Sequence, residues 1–309
     1  MAGGRASLPG AAAIIGAGEI GSGWAALFSL HGVEVRVVDP DSRFVQRLDR
    51  ALASARRLPE LRGPASPVTV SESIREAVCG AQWVHESVAE NLDLKRGVLG
   101  EIAAHAEVDT IIASSTSSFT LSALAARLPG AERLLVVHPL HPVYAVPVVE
   151  VSAGEMTSAT TLERAIAVMR ALGREPIVVR GEPPGLVANR LTAALLREGL
   201  DLLARGAVTP SELDRIVAGG VALGWAAAGP LGTEAQGSGE HTLGALVRGL
   251  ERPLASLWPD LASWVAISTE KRAAIEASPA QPDVQTIGGQ LWPERIARIV
   301  RASKDRRDD

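Results

Sequence analysis

The sequence predicts an α/β fold: a doubly wound, mainly parallel sheet followed by an all-helical C-terminal domain. Three observations carry this expectation. Residues 11–39 read as strand, glycine turn, helix and strand. Strand-like and helix-like stretches then alternate as far as residue 180. Beyond "GEPPG" (181–185) the β-branched runs stop and helical patterns take over. Strands alternating with helices imply crossover connections, with helices covering both faces of one sheet.

Taken in order, "AAAII" (11–15) is a short apolar run. "GAGEIGSGWAALFSLHG" (16–32) begins glycine-rich, becomes helical and stops at Gly32. "VEVRVVD" (33–39) alternates and ends at Asp39-Pro40. Together they make one βαβ unit of about 30 residues. Further strands are expected at "QWVHESV" (82–88), "TIIASS" (110–115), "LLVVHP" (134–139) and "EPIVVR" (175–180). Helices are expected at 43–57, 72–79, 92–105, 120–127 and 157–172. The change of pattern divides the chain into residues 8–183 and 184–309. In the second part Leu196, Leu200 and Leu203 share one helical face, closed by Gly206. Thr209, Pro210 and Glu212 stand as N-cap, first helical residue and capping-box partner. "GPLGTEAQGSGEHTLG" (229–244) reads as a loop.

At 309 residues, 47% of them hydrophobic, the chain is long and apolar enough for two soluble globular domains of ~100–200 residues. A net charge of −4 without a basic block argues against nucleic acid or an anionic membrane as partner. No unbroken apolar run of ~18 residues is present, so no membrane span is expected. The N-terminal "MAGGRASLPGAAAIIGAG" superficially resembles a signal peptide, but it runs directly into the glycine turn. Cys79 is the sole cysteine, which excludes an intramolecular disulfide and suits a reducing, cytoplasmic location. Its context, "REAVCGAQWV", reads as buried filler at a helix end.

Gly16-Ala17-Gly18-Glu19-Ile20-Gly21 is G-x-G-x-x-G between a strand and a helix. Gly16 allows the tight turn, Gly18 the approach of a pyrophosphate, and Gly21 close helix–strand packing. Asp39, ending the second strand, offers a carboxylate to ribose hydroxyls and repels a 2′-phosphate, which favours NAD over NADP. Arg36 and Arg43 stand near enough to serve a 2′-phosphate instead.

"VVHPLHPVYAVPVVEV" (136–151) places two histidines and an acid among strand-like apolar residues. Ionised and alone in an apolar strand, Glu150 would cost several kcal/mol, so it requires a partner. His138 is the nearest candidate. Imidazole, with an ordinary pKa of ~6.5, suits proton transfer at neutral pH. His138 and His141 also invite a metal reading, for which no third ligand of suitable spacing is evident. Ser117 falls just past a strand end, where doubly wound sheets bind ligands. Asn189 heads the first helix after 183. Each of the two could equally cap its own helix.

Four segments in this order resemble the L-3-hydroxyacyl-CoA dehydrogenase superfamily: "GAGEIGSGWAALF", "ESVAENLDLK" (86–95), "ASSTSS" (113–118), and "HPLHPVYAVPVVEV" followed by "PPGLVANRL" (183–191). Ser115-Thr116-Ser117, His138-Pro139-x-x-Pro142-Val143-Tyr144 and "GPLGTE" (229–234) are similar to the carnitine and gulonate 3-dehydrogenase (lambda-crystallin) branch. The resemblance implies a Rossmann-type NAD domain, a helical substrate and dimerisation domain, and a homodimer. It makes His138 the general acid/base, Glu150 the carboxylate that orients it, and Ser117 and Asn189 the polar pair around the reacting oxygen. Glu90, Lys95 and Ser115 fall with the cofactor, and His141 and Tyr144 with the substrate. Trp225 is either a pocket wall or a core aromatic. The departure is His141, where the superfamily carries Asn.

Only 28 residues, 41–68, follow Asp39 before the next strand-like segment, where acyl-CoA members carry a long helical arm. Six arginines (43, 47, 50, 56, 57 and 62) lie there and read as a solvated helix face. The expected substrate is therefore a small 3-hydroxy acid and its 3-keto form. A CoA-thioester dehydrogenase and a non-catalytic dinucleotide-binding homologue are the alternatives.

Overall fold

Apolar strands without polar alternation need cover on both faces. The computed structural model, which describes residues 8–61, 63–238, 242–277 and 292–304, supplies it. Strands β1 (Ala11–Ile15), β2 (Glu34–Val38), β3 (Val68–Val70), β4 (Trp83–Glu86), β5 (Ile111–Ser114), β6 (Leu134–Pro139), β7 (Val148–Ser152) and β8 (Glu175–Val179) form one sheet. Their order is 3-2-1-4-5-6-7-8. Every neighbouring pair is parallel except β6 and β7. Helices α1 (Glu19–Leu30), α2 (Phe44–Ala55) and α6 (Ala159–Ala171) cover one face; α3 (Ile74–Val78), α4 (Leu92–His105) and α5 (Leu121–Ala125) cover the other. Strand order reverses between β1 and β4, and the crevice at the carboxyl ends of those strands is where such sheets bind ligands.

The described chain divides into two compact units. The first comprises residues up to Arg190 with Pro293–Ala297, and the second holds the rest. The division falls inside α7 (Ala188–Ala204). The second unit continues with α8 (Pro210–Ile216), a π-helical turn (Val217–Val221), α9 (Ala222–Ser238), α10 (Leu243–Leu257) and α11 (Thr269–Glu276). The last helix, α12 (Trp292–Lys304), contributes to both units. Thr209 and Glu212 close a reciprocal capping box on α8, with Pro210 at its start. Asp201, buried on α7, accepts from Trp264 Nε1 at 3.0 Å and from Arg205 at 2.6 Å, and pairs with Lys271.

Three expectations need correction. Cys79 is exposed, because α3 ends one residue earlier and buries Ala77 and Val78 instead. Residues 229–238 are helical rather than loop. Gly229 alone leaves helical geometry (φ 73°, ψ 167°), and Pro230 restarts the helix where its missing N–H costs nothing. Residues 239–241 of that stretch, and Arg62, lie outside the described residues. On α7, Leu203 is buried but Leu196 is 56% exposed, so the leucine stripe is only partly covered within this chain. The helical run Pro210–Gln236 is long and apolar enough, by length and composition, to cross a membrane, its most apolar stretch of 18 residues having a mean hydropathy of 1.4. Isoleucine, valine, leucine and alanine raise that average, while the glycines interrupt the run.

Candidate active site

The turn from β1 into α1 is built around absent side chains. A Cβ on Gly21 would sit 1.9 Å from the Gly16 carbonyl oxygen. One on Gly16 (φ +89°) would sit 2.7 Å from the backbone of Ser87 and Val88. A Cβ on Gly18 would meet no protein atom within 4 Å. Gly18 is the N-cap of α1, and no side chain caps the helix, so its first N–H groups are left for an anion. Asp39 Oδ2 accepts from Ala17 N at 2.6 Å and Oδ1 from Asp41 N at 2.8 Å, which fixes the carboxylate at the rim of the turn. The nearby arginines are engaged: Arg43 and Arg47 with Asp41, and Arg36 with Glu34 and the Cys79 carbonyl. An open cradle with a carboxylate at its rim and, among the described residues, arginines nearby that are already paired fits NAD. Gly18→Ala is expected to leave thermal stability unchanged while weakening NADH binding roughly tenfold or more, as read by fluorescence titration. Gly21→Ala is expected to destabilise the domain itself in a thermal melt.

The antiparallel reversal at β6 and β7 explains the spacing of His138 and Glu150. They are direct partners in the ladder, so their side chains leave the same face. His138 Nδ1 lies 2.9 Å from Glu150 Oε2, and both side chains are buried. Glu150 Oε1 accepts from Val187 N at 2.8 Å and Ala188 N at 3.0 Å, at the start of α7. Burial pushes the Glu150 carboxyl upward. The bonds from His138, Ala188 and Val187 outweigh it, so the carboxyl stays below its ordinary value. The loop between the two strands is tied down by Arg174, whose guanidinium donates to the Val143 and Val146 carbonyls at 3.2 and 3.0 Å. Burial lowers the pKa of Arg174 to about 10, and it remains charged at neutral pH.

A cleft of about 340 Å³ opens beside this pair. Ile20, Glu90, Lys95, Ser115, Ser117, His138, His141 and Asn189, all singled out from the sequence, line it. Glu90 Oε1 accepts from Thr116 Oγ1 (2.7 Å), Ser117 N (3.1 Å) and Ser118 N (2.9 Å), which shapes the loop after β5. Burial raises the Glu90 carboxyl; Thr116, the charge of Lys95 and the Ser118 N–H together bring it below its ordinary value. Lys95 is buried and pairs with Glu86 at 2.9 Å and Glu90 at 3.3 Å. Asn189 Nδ2 donates to the Ser117 carbonyl at 3.3 Å, so the two residues meet across the cleft wall. Ser117 does not cap α5, whose N-cap is Thr120, and Asn189 lies inside α7, one residue after its start.

Two candidates of the first unit do not line the cleft. Tyr144 is buried against α2, with its hydroxyl toward Ser54, and does not line the cleft. Glu19 is exposed on the first turn of α1. Trp225 belongs to the second unit, on α9, and is 40% exposed. Sequence reasoning missed Ser87 and Val88 in the cleft lining, and His85 behind them. Their one signal was position, at the carboxyl end of the strand beside β1. Among the described residues no group of three or more His, Cys, Asp and Glu side chains is placed to hold a metal ion.

Comparison with known proteins bears on the family and the fold. The family model described as "3-hydroxyacyl-CoA dehydrogenase, NAD binding domain" matches residues 11–182. An L-carnitine dehydrogenase of Streptomyces griseus is 37% identical over 254 residues, which is 81% of this chain and 76% of that protein. An L-carnitine dehydrogenase/betainyl-CoA thioesterase of Rhizobium sp. is 34% identical over 91% of this chain, a match that spans only 57% of the longer protein. Among solved structures, 5-formyl-3-hydroxy-2-methylpyridine 4-carboxylic acid 5-dehydrogenase, an NAD+-dependent dismutase, superposes with a TM-score of 0.79 at 29% identity. The superposition covers 96% of this chain and 98% of that one.

Proposed function

Because the chain belongs to the 3-hydroxyacyl-CoA dehydrogenase family and carries its NAD-binding domain, we propose that it oxidises a small 3-hydroxy acid to the 3-keto acid, and the reverse. The observation that supports this most is the buried His138–Glu150 pair beside a cleft continuous with the glycine turn. Bound NAD supplies the hydride acceptor at C4 of its nicotinamide. The chain's residues handle the proton. The Glu150 carboxylate accepts Nδ1–H, which leaves Nε2 of His138 as the base that takes the substrate hydroxyl proton. Ser117 and Asn189 hold the reacting oxygen. Glu90 and Lys95 support the nicotinamide-side ribose, and His141 reads the substrate's polar end. The residues up to 183 serve the cofactor. The helical remainder serves the substrate and pairs two copies, for which the exposed Leu191, Leu195 and Leu196 on α7 offer an apolar stripe. Light scattering that shows only a monomer at micromolar concentration would remove the dimer. A dehydrogenase using soluble NAD, with one exposed free thiol, fits the cytoplasm.

The short segment after β2 favours a free acid over a CoA thioester, and the named carnitine dehydrogenases make L-carnitine the first compound to try. NADH absorbance should rise with L-carnitine or another free 3-hydroxy acid, and more slowly with the corresponding CoA thioester. A preference for the thioester would reverse the substrate assignment. NAD binding without turnover of any hydroxy acid would point to a non-catalytic homologue.

A further inference from the structure

Behind the cleft, four side chains that play no part in the proton transfer form a chain of hydrogen bonds with one permitted direction. Trp83 Nε1 lies 3.2 Å from His85 Nδ1, and both residues are fully buried. An indole N–H only donates, so Nδ1 of His85 must accept. Burial, together with the positive charge of Lys95, pushes the His85 pKa down to about 3, against a smaller opposing pull from the Val137 carbonyl. The ring is neutral, and its single proton is on Nε2. That N–H donates to Ser115 Oγ at 2.8 Å. Trp24 Nε1, whose ring stacks on His85 at 4.4 Å, donates to the same oxygen at 3.2 Å.

A hydroxyl oxygen has two lone pairs, and both are now taken. The third neighbour, Ser87 Oγ at 3.0 Å, must therefore accept the Ser115 proton. Among the described residues no further hydrogen bond is made by the Ser87 hydroxyl, and Ser87 is one of the residues that line the cleft. Ser87 also stands between the two ends of the site. Its backbone abuts Gly16 of the pyrophosphate cradle, and it shares the cleft with His138. Between pyrophosphate and hydride-accepting carbon lies the nicotinamide riboside.

We propose that Trp83, His85 and Ser115 form a one-way relay that fixes the Ser87 hydroxyl as donor to an acceptor oxygen of the nicotinamide riboside. This rests on the reading above that places the nicotinamide beside His138. Ser87 is the contacting residue; His85 and Ser115 are positioning residues that act through it. The acceptor is a ribose hydroxyl or the carboxamide oxygen.

Nitrogen-15 spectra of the full chain, assigned through His85→Gln, should show His85 with bare Nδ1 and protonated Nε2, unchanged from mildly acidic to alkaline pH. A protonated Nδ1 would overturn the relay. Ser87→Ala should raise the Kd for NADH roughly three- to tenfold, the worth of one hydrogen bond, and leave ADP binding unchanged. An equal loss with ADP, or no loss with NADH, would overturn the assignment. Weakened ADP-ribose binding would identify the ribose hydroxyl, and unchanged ADP-ribose binding the carboxamide. His85→Leu should reproduce the Ser87→Ala loss. His85→Gln, whose amide can accept from Trp83 and donate to Ser115, should largely restore affinity. None of these measurements depends on turnover, so failure of the hydroxy-acid assay leaves them interpretable.

Discussion

His138→Ala is expected to reduce turnover by roughly 10²–10⁴-fold, the usual share of a positioned general base, while NADH binds as before. The imidazole lies on the cleft side of β6, whereas the cofactor cradle is made by the turn after β1 and by Asp39, so the two losses should separate. Stopped-flow turnover alongside NADH titration reads both. Undiminished turnover would sink the assignment of His138 as proton carrier. Loss of NADH affinity of the same size as the loss of turnover would show a collapsed cleft instead.

Glu150→Gln should come close to the same loss by a different route. The amide oxygen can still accept from Val187 and Ala188, but its NH₂ then faces His138 Nδ1 and forces that nitrogen to accept. The histidine proton moves to Nε2, the wrong place for a base, and a drop of roughly 10²–10⁴-fold in kcat is expected. The variant should also change the response to acid. A carboxyl held below its ordinary value in the folded state contributes stability above the unfolded value of ~4.3, and that stability is lost as pH falls through the folded one. Thermal melts from pH 6 downward should therefore fall less steeply for Glu150→Gln than for the parent. Glu90, depressed in the same direction, keeps part of the slope in both proteins. An unaltered kcat with altered melts would assign Glu150 to structure alone.

The N-terminal fold was legible because each strand is a short apolar run stopped by glycine or a polar turn, and α4 was expected over its observed 92–105. The His138–Glu150 contact was legible from an energetic demand: an acid in an apolar strand needs a partner. Other features depend on information a linear reading lacks. Tyr144 is six residues from His138, yet Arg174 holds its loop so that the ring turns into the core against α2. Leu196 has the spacing of a core residue, but burial depends on what lies opposite. Ser87 and His85 looked ordinary because their roles exist only once β4 lies between β1 and β5. The stretch 229–238 carried turn-type residues, and one glycine proved enough to absorb the break.

The antiparallel step between β6 and β7 has a practical consequence. The geometry of the buried His–Glu pair is written into ladder register, His138 opposite Glu150. His141, which lines the cleft from the same stretch, is on the connecting loop, whose far half is anchored separately by Arg174. On the proposed function, reactivity and selectivity are separable modules within fifteen residues of chain. A library varied at Leu140 and His141 would explore new substrates while leaving the proton-transfer hardware untouched.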